Sequence, residues 1–476
     1  MTKNLTEGSP AKLIFFFTMP LIAGNIFQQL YAFVDTLIVG RFLGVNALAA
    51  VGCTGALMFL MLGFVIGFST GLSIYTGQRF GARDEEGVRK SAAACAVLSL
   101  LASIVLTTVG VLLCRQLLVW MQTPAEILDR AYSFISLVYA GIGLFVFYQT
   151  QTNLIRALGD SKTPTVLLAC GLTLNIIFEP IAILVFGWGI PGAALATLAS
   201  QVCGNLLCLF FILRKVPALR THRKDWCPDF KLYWEHLRIA LPMGFQSSII
   251  AIGAVILQVA LNDLGPTAVA AYAAAQKIES IAMMPMMSFG IAMSAYTAQN
   301  YGARKFERIG EGVRKCCYMS VTFAVLAGAG LIFFGPSLMH LFVGDGAQQV
   351  IDFGHEYLIV NGSCYWILSF LFIFRYTLQG LGRRADDRGH HGALDAHGSS
   401  ALPLRLARLP WRLPRQPDGL DRLLRSSGHR FLLDAPELQE KISSRLSLFV
   451  GFAGFRQFLS KKNYNNKSKH HNDSDC

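Results

Sequence analysis

The sequence predicts an all-α integral membrane protein of two pseudo-symmetric helical lobes, with six transmembrane helices in the first and four in the second. Three observations predict it. The chain of 476 residues is 53% hydrophobic and 15% charged, with a mean hydropathy of +0.46, too apolar for a soluble domain of this length. Its charges fall in blocks between apolar runs of about 20 residues, the length that crosses a bilayer. Two stretches also repeat one another about 220 residues apart. The first is Leu43 to Gly52, followed after one helix by Gly81-Ala82-Arg83 and Gly87-Val88-Arg89-Lys90. The second is Leu264 to Ala273, followed by Gly302-Ala303-Arg304 and Gly312-Val313-Arg314-Lys315.

In chain order, candidate spans begin near Leu13, Ala47, Ser91, Ala131, Thr165 and Gly189, which gives a first lobe over residues 1–215. A basic loop occupies 216–238. Further spans begin near Ile239, Ala268, Cys316 and Tyr357, giving a shorter second lobe over 239–382. Counted by loop, 20 Lys and Arg lie on one side of the membrane, from Lys3 through Lys315, and 3 lie on the other, at Arg41, Arg115 and Arg130. Basic loops face the cytoplasm, so the N-terminus is expected there. An even number of helices per repeat then makes the repeats parallel, about an axis along the membrane normal. Two copies of one membrane unit suit a transporter, because substrate can sit between two bodies that rock against each other.

The remaining composition excludes several classes. The net charge of +13 is held in loops, so it does not point to nucleic acid. The polar first dozen residues and the long run from Leu13 do not form a cleavable leader. The 11 cysteines show no metal-ligand spacing and read as small apolar helix residues. There is no phosphate-binding loop to drive transport with ATP, and no paired DxxxD carboxylates for magnesium–diphosphate chemistry. The chain is expected not to be an enzyme and to need no cofactor beyond a coupling ion.

The chain changes character after Gly382. Leu158-Gly159 matches Leu381-Gly382, but in the first repeat two further spans follow, and after Arg383 no apolar run is long enough to cross. Residues 383–476 carry 12 Arg, 5 Lys and 6 His and read as an atypical, basic, largely disordered tail. A real cytoplasmic domain, a disordered arm and a reading frame shifted after Gly382 are the three explanations, and the abrupt onset at a repeat-matched point favours the third.

Ionisable groups within spans are functional candidates by default. Asp35, Glu179, Lys277, Glu279 and Arg375 stand out. Asn175 and Glu179 are four apart and share one helical face, and Pro180 loosens the backbone beside them. A carboxylate and an amide on one face can bind a proton or a small cation. Lys277 and Glu279 point to different sides of their helix; Arg375 is a candidate partner for one of them, with no spacing argument for the pair. Met283, Met284, Met286, Met287 and Met293 share that helix, where adaptable side chains suit varied ligands and also plain packing. Pro20 and Pro242 hold equivalent places near the starts of the first and seventh spans and are expected to kink them.

These motifs together resemble the multidrug and toxic compound extrusion (MATE) family of cation-coupled antiporters. The pieces are the segment from Met19 to Gly44, the repeated Gly-Ala-Arg loops, Leu154 to Thr165, and Gly187 to Thr197, and the likeness covers roughly residues 10–382. The resemblance implies twelve helices in two six-helix lobes, exchange of protons or sodium for organic cations, and a monomer in the inner membrane of a prokaryote. It implies an ion-coupling cluster of Asp35, Asn175, Glu179 and Thr197, with sodium as the only metal. Substrate contacts are expected from Gln28, Gln29, Glu279, Met283 and Met287. Two departures stand out. The run from Gly244 to Leu261 lacks the helix-seven acid of some members, and helices eleven and twelve are absent, so an inactive product is one reading. A lipid or polysaccharide flippase of related two-lobe fold is the alternative function.

Overall fold

A computed structural model describes residues 4–43, 51–121, 123, 125–262, 266–343 and 348–382, all within one compact unit, Met1–Leu402. The tail from Arg383 and most of the first repeat segment lie outside the described residues. Every regular element described is helical. In chain order these are α1 (Pro10–Leu43), α2 (Gly55–Gly81), α3 (Glu85–Trp120), α4 (Ala125–Ala140), α5 (Ile142–Ala157), α6 (Lys162–Pro180) and α7 (Gly189–Lys215). There follow α8 (Phe230–Asn262), α9 (Pro266–Gly302), α10 (Phe306–Val343) and α11 (Gln348–Leu381). Two short helical turns, Pro217–Leu219 and Arg223–Trp226, bridge α7 to α8.

Among the described residues, nine helices are long and apolar enough to cross a membrane, and ten if the bent pair α4 and α5 counts as one span. The fourth run in the sequence is thus two helices, bent by 44°. The break falls at Gly141, whose missing Cβ admits the Leu198 side chain. Several helices are also much longer than a bilayer requires; α10 has 38 residues.

The internal repeat is written into the backbone. Both α2 and α9 end in the same cap: the N–H of Arg83 bonds Phe80 O and the N–H of Arg304 bonds Tyr301 O, each at 3.0 Å. The two arginines take left-handed conformations, with φ of 59° and 57°, which cost a non-glycine residue about 1–2 kcal/mol each. Gly159 and Gly382 end α5 and α11 at φ of 86° and 66°.

The lobes exchange contacts at this end. Gly81 packs on the backbone of Gln299, and Gly302 packs on the backbone of Gln78, with no room for a Cβ at either glycine. Gln299 Nε2 donates to Ala157 O at 2.8 Å, and Gln78 Nε2 donates to Gly380 O at 3.1 Å. Each glutamine thus caps the fourth span of the other lobe. The N-terminal segment is strapped across the same junction. Leu5 N–H bonds Gln299 Oε1 at 2.9 Å, Asn300 Nδ2 bonds Leu5 O at 3.2 Å, and Lys305 Nζ bonds Thr6 O at 2.9 Å. Arg308 reaches Gly8 O at 3.0 Å, and Arg83 pairs with Glu7 at 2.7 Å. The N-terminus and both Gly-Ala-Arg loops therefore lie at one end, as the charge count requires.

Two seams join the lobes lengthwise. Along α2, Gly63, Gly67 and Gly71 seat the backbone of α8 at Ser247, Met243 and Ala240. Small residues four apart let helix backbones meet in a membrane. The other seam, between α1 and α9, is polar: Asn25 Nδ2 donates to Ser288 Oγ at 3.0 Å and Gln29 Nε2 to Ser280 Oγ at 3.3 Å. Within the second lobe, α9, α10 and α11 share a continuous core around Ala275, Met286, Leu331, Met339, Leu358 and Tyr365.

Candidate functional site

Three helices of the first lobe converge on a buried polar cluster. On α6 the four-residue spacing works as the sequence reading requires: Asn175 and Glu179 both turn inward, at 2% and 0% exposure. Pro180 removes an N–H from the helix ladder. The next turn, Ile181–Val185, is a π-helix closed by Phe186 N–H on Ile181 O at 3.1 Å. Such turns recur at functional sites because they displace one residue from the regular register.

From α1 comes Asp35, whose Oδ1 accepts the Tyr31 hydroxyl at 3.3 Å. The Asp35 and Glu179 carboxyls lie within hydrogen-bonding reach of each other. From α7 come Thr197 and Ser200, both accepting from Asn175 Nδ2, at 3.1 Å and 3.3 Å. Those hydroxyls direct their own protons to helix carbonyls, Thr197 to Ala193 O at 3.1 Å and Ser200 to Thr197 O at 2.8 Å.

The consequence is an excess of acceptors. Every donor that Asn175, Thr197 and Ser200 offer is used on another partner. Asn175 Oδ1 and both Glu179 oxygens are buried with no donor. Two neighbouring carboxylates repel, which favours a shared proton that leaves one of them neutral, or a cation between them. Carboxylate, amide and hydroxyl oxygens are also the donor set of a hard cation. The structure thus brings together all four predicted ion-coupling residues. It adds Tyr31 and Ser200, which the sequence reading missed, although each lies one helical turn from a predicted residue and on its face.

The predicted substrate contacts scatter. Gln28 is exposed, whereas Gln29 bonds Ser280 across the α1/α9 seam. Met283 packs against the second-lobe core while Met287 is 36% exposed. Met286 and Met293 are fully buried packing residues. The expected pairing of Arg375 with Lys277 or Glu279 is wrong. Glu279 Oε2 accepts instead from the Tyr357 hydroxyl at 2.7 Å, Lys277 is exposed, and Arg375 stacks on Phe372 and Tyr376. The reason is position: Glu279 faces the upper part of α11, more than four helical turns from Arg375.

A family model described as MatE matches residues 20–181 and 242–385. The chain belongs to the MatE family. The two matched segments leave out residues 1–19, residues 182–241 with α7 and the basic loop, and everything beyond residue 385. The MatE chain is 29% identical over 388 residues to the probable multidrug resistance protein YpnP of Bacillus subtilis, covering 80% of this chain and 84% of that protein. It is 27% identical over 389 residues to the probable multidrug resistance protein YoeA of the same organism, with the same coverage. Among solved structures it resembles a MOP superfamily transporter from Pyrococcus furiosus, with a TM-score of 0.75 and 25% identity, covering 80% of this chain and 86% of that one.

Proposed function

We propose that this MatE chain is a membrane antiporter that exports amphipathic organic cations by alternating access, in exchange for protons or sodium. The observation that carries the reading is the acceptor-only cluster of Asp35, Asn175 and Glu179, which is completed by one small cation. Thr197 supplies a further oxygen beside it. A bound ion that neutralises the carboxyl pair changes the cost of exposing or burying it, and that couples ion movement to the rocking of the lobes. The names of the two Bacillus relatives support drug-like cargo. We place six crossings in the first lobe and four in the second, with α4 and α5 as one span, in the inner membrane of a prokaryote. The N-terminus is cytoplasmic, and the protein works as a monomer without a cofactor.

Two other readings have an observation each. A flippase needs cationic side chains facing its cargo, and Arg238 and Arg375 line a groove of about 490 Å³ between α8 and α11. An inactive product follows from the lack of an apolar span after Gly382.

Dye uptake into inverted vesicles, which reports export, under a proton gradient or a sodium gradient alone, is the test. Uptake under one gradient, lost in Asp35→Asn and Glu179→Gln with insertion intact, is expected. Full uptake in both variants would defeat the coupling assignment. Movement of a lipid-linked sugar without dye uptake would favour the flippase. Inserted protein that moves neither cargo would favour the inactive reading.

A further inference from the structure

Two cations of the second lobe share a groove that no helix fills among the described residues. It encloses about 490 Å³ between α8 and α11, with Arg238, Gln246 and Ile249 on one wall and Arg375 and Gln379 on the other. Arg375 lies against the rings of Phe372 and Tyr376, its guanidinium carbon 5.6 Å and 4.9 Å from their centroids. Its Nε is buried without a hydrogen-bond partner, and among the described residues no carboxylate pairs with it. No Asp or Glu lines the groove. Gln379 Nε2 donates to Gln246 Oε1 at 2.9 Å, while Gln379 Oε1 is buried and unsatisfied.

Packing does not require the two arginines. By the registers that pair Pro20 with Pro242 and Gly159 with Gly382, the first lobe has Phe16 and Thr152 at the places of Arg238 and Arg375, and Gly24 at that of Gln246. Gly24 faces Thr165 and Leu168 of α6. The place that α6 takes beside α1 is held by no described helix beside α8, where Phe245 and Ile249 are 58% and 60% exposed.

Depth in the bilayer selects the occupant. α8 and α11 have 33 and 34 residues, which makes each about 50 Å long against a hydrocarbon core of about 30 Å. A centred helix then leaves about 10 Å at each end among the lipid headgroups. Arg238 lies eight residues after Phe230, and Arg375 seven before Gly382. Both cations are therefore about 10–12 Å from the same end, where headgroups meet acyl chains. Guanidinium groups grip phosphate through paired N–H bonds, and basic pockets between membrane helices hold anionic headgroups. Phe245 and Ile249, farther along α8, give acyl chains an apolar wall. The tail beyond Gly382 is a poor occupant, because it carries 17 basic residues against 10 acidic ones.

We propose that the groove between α8 and α11 binds one anionic phospholipid, with Arg238 and Arg375 holding its phosphate and its acyl chains lying where the first lobe has α6. The lipid is a resident part of the protein rather than its cargo, so the assignment does not depend on which ion and substrate are exchanged.

The test is native mass spectrometry of the full chain in detergent, with phosphatidylglycerol or phosphatidylcholine added. The wild type should retain phosphatidylglycerol about tenfold more than phosphatidylcholine. Arg238→Gln and Arg375→Gln should each cut that preference about fivefold. Arg375→Lys, which keeps the charge without the planar fork, should lose less. Arg314→Gln, which removes an exposed cation of α10, should keep the preference. If one of the two groove variants does not fold, the other decides against Arg314→Gln. A photoreactive group at Ile249 should capture lipid. Equal retention of the two lipids by the wild type, an unchanged preference in both groove variants, or an equal loss in Arg314→Gln would overturn the site. Displacement of the lipid by millimolar inorganic phosphate, or capture of tail peptides or a second copy at Ile249, would do the same. Transfer of phosphatidylglycerol between vesicle leaflets would make the lipid a cargo and overturn its residence.

Discussion

Helices α1 and α8 open the two repeats, with Pro20 and Pro242 at the same register, and each meets the equivalent helix of the opposite lobe, α9 for α1 and α2 for α8, yet α1 also rests on α6. α1 lies against α6 of its own lobe: Thr165 Oγ1 donates to Pro20 O at 2.9 Å, and Gly24 faces Thr165 and Leu168. α8 lies along the Gly63, Gly67 and Gly71 stripe of α2, in the opposite lobe. No apolar segment after Gly382 offers α8 a counterpart of α6. In a membrane, lipid competes with neighbouring helices on equal hydrophobic terms, so close backbone contact and hydrogen bonds decide which helices pair. The comparison shows that the partner available, as much as the helix's own sequence, fixes where an apolar helix lies.

The strongest way to break this comparison is Gly67→Leu. A side chain there meets the Met243 backbone, and overpacking of this kind costs about 1–3 kcal/mol. Thermal unfolding in detergent should show the largest loss of any seam variant, with α8 becoming accessible to protease. If Gly67→Leu is as stable as the wild type, the glycine stripe does not hold α8.

Gly81→Ala and Gly302→Ala sharpen the comparison, because these positions are equivalent and equally crowded. Each should cost about 1–2 kcal/mol. Clearly unequal melting shifts would mean that the two-fold exchange at this end is only apparent. The smallest effect is expected at the polar seam. Asn25→Ala removes one hydrogen bond, to Ser288, and such bonds between membrane helices average about 0.6 kcal/mol. A loss at Asn25 larger than that at Gly67 would reverse the ranking of the two seams.

Much of this was legible in the sequence, for reasons that can be named. Apolar runs mark the helices because a bilayer leaves the backbone no other partner than itself. The spacing of Asn175 and Glu179 places both on one face without reference to anything else. Asp35 was different: no spacing rule ties α1 to α6, and only the family resemblance joined those residues before the fold did. Gly63, Gly67 and Gly71 form a small-residue stripe in the sequence, but a stripe does not name its partner. The bend at Gly141 was hidden because hydropathy continues through it. The partner of Glu279 could not be read either, since Tyr357 is 78 residues away and nothing in sequence separates it from the other aromatic residues of α11.

The strap formed by Leu5 to Gly8 has a practical consequence. Its main chain is read directly by Gln299, Asn300, Lys305 and Arg308 of the second repeat. An affinity tag or fluorescent reporter fused ahead of it would therefore begin a few residues from the contact that ties the two lobes together. Such a handle would load one conformation of the protein, and affinities measured with it would describe the handle as well as the molecule. Measurements on this chain should be made with the first residues unburdened.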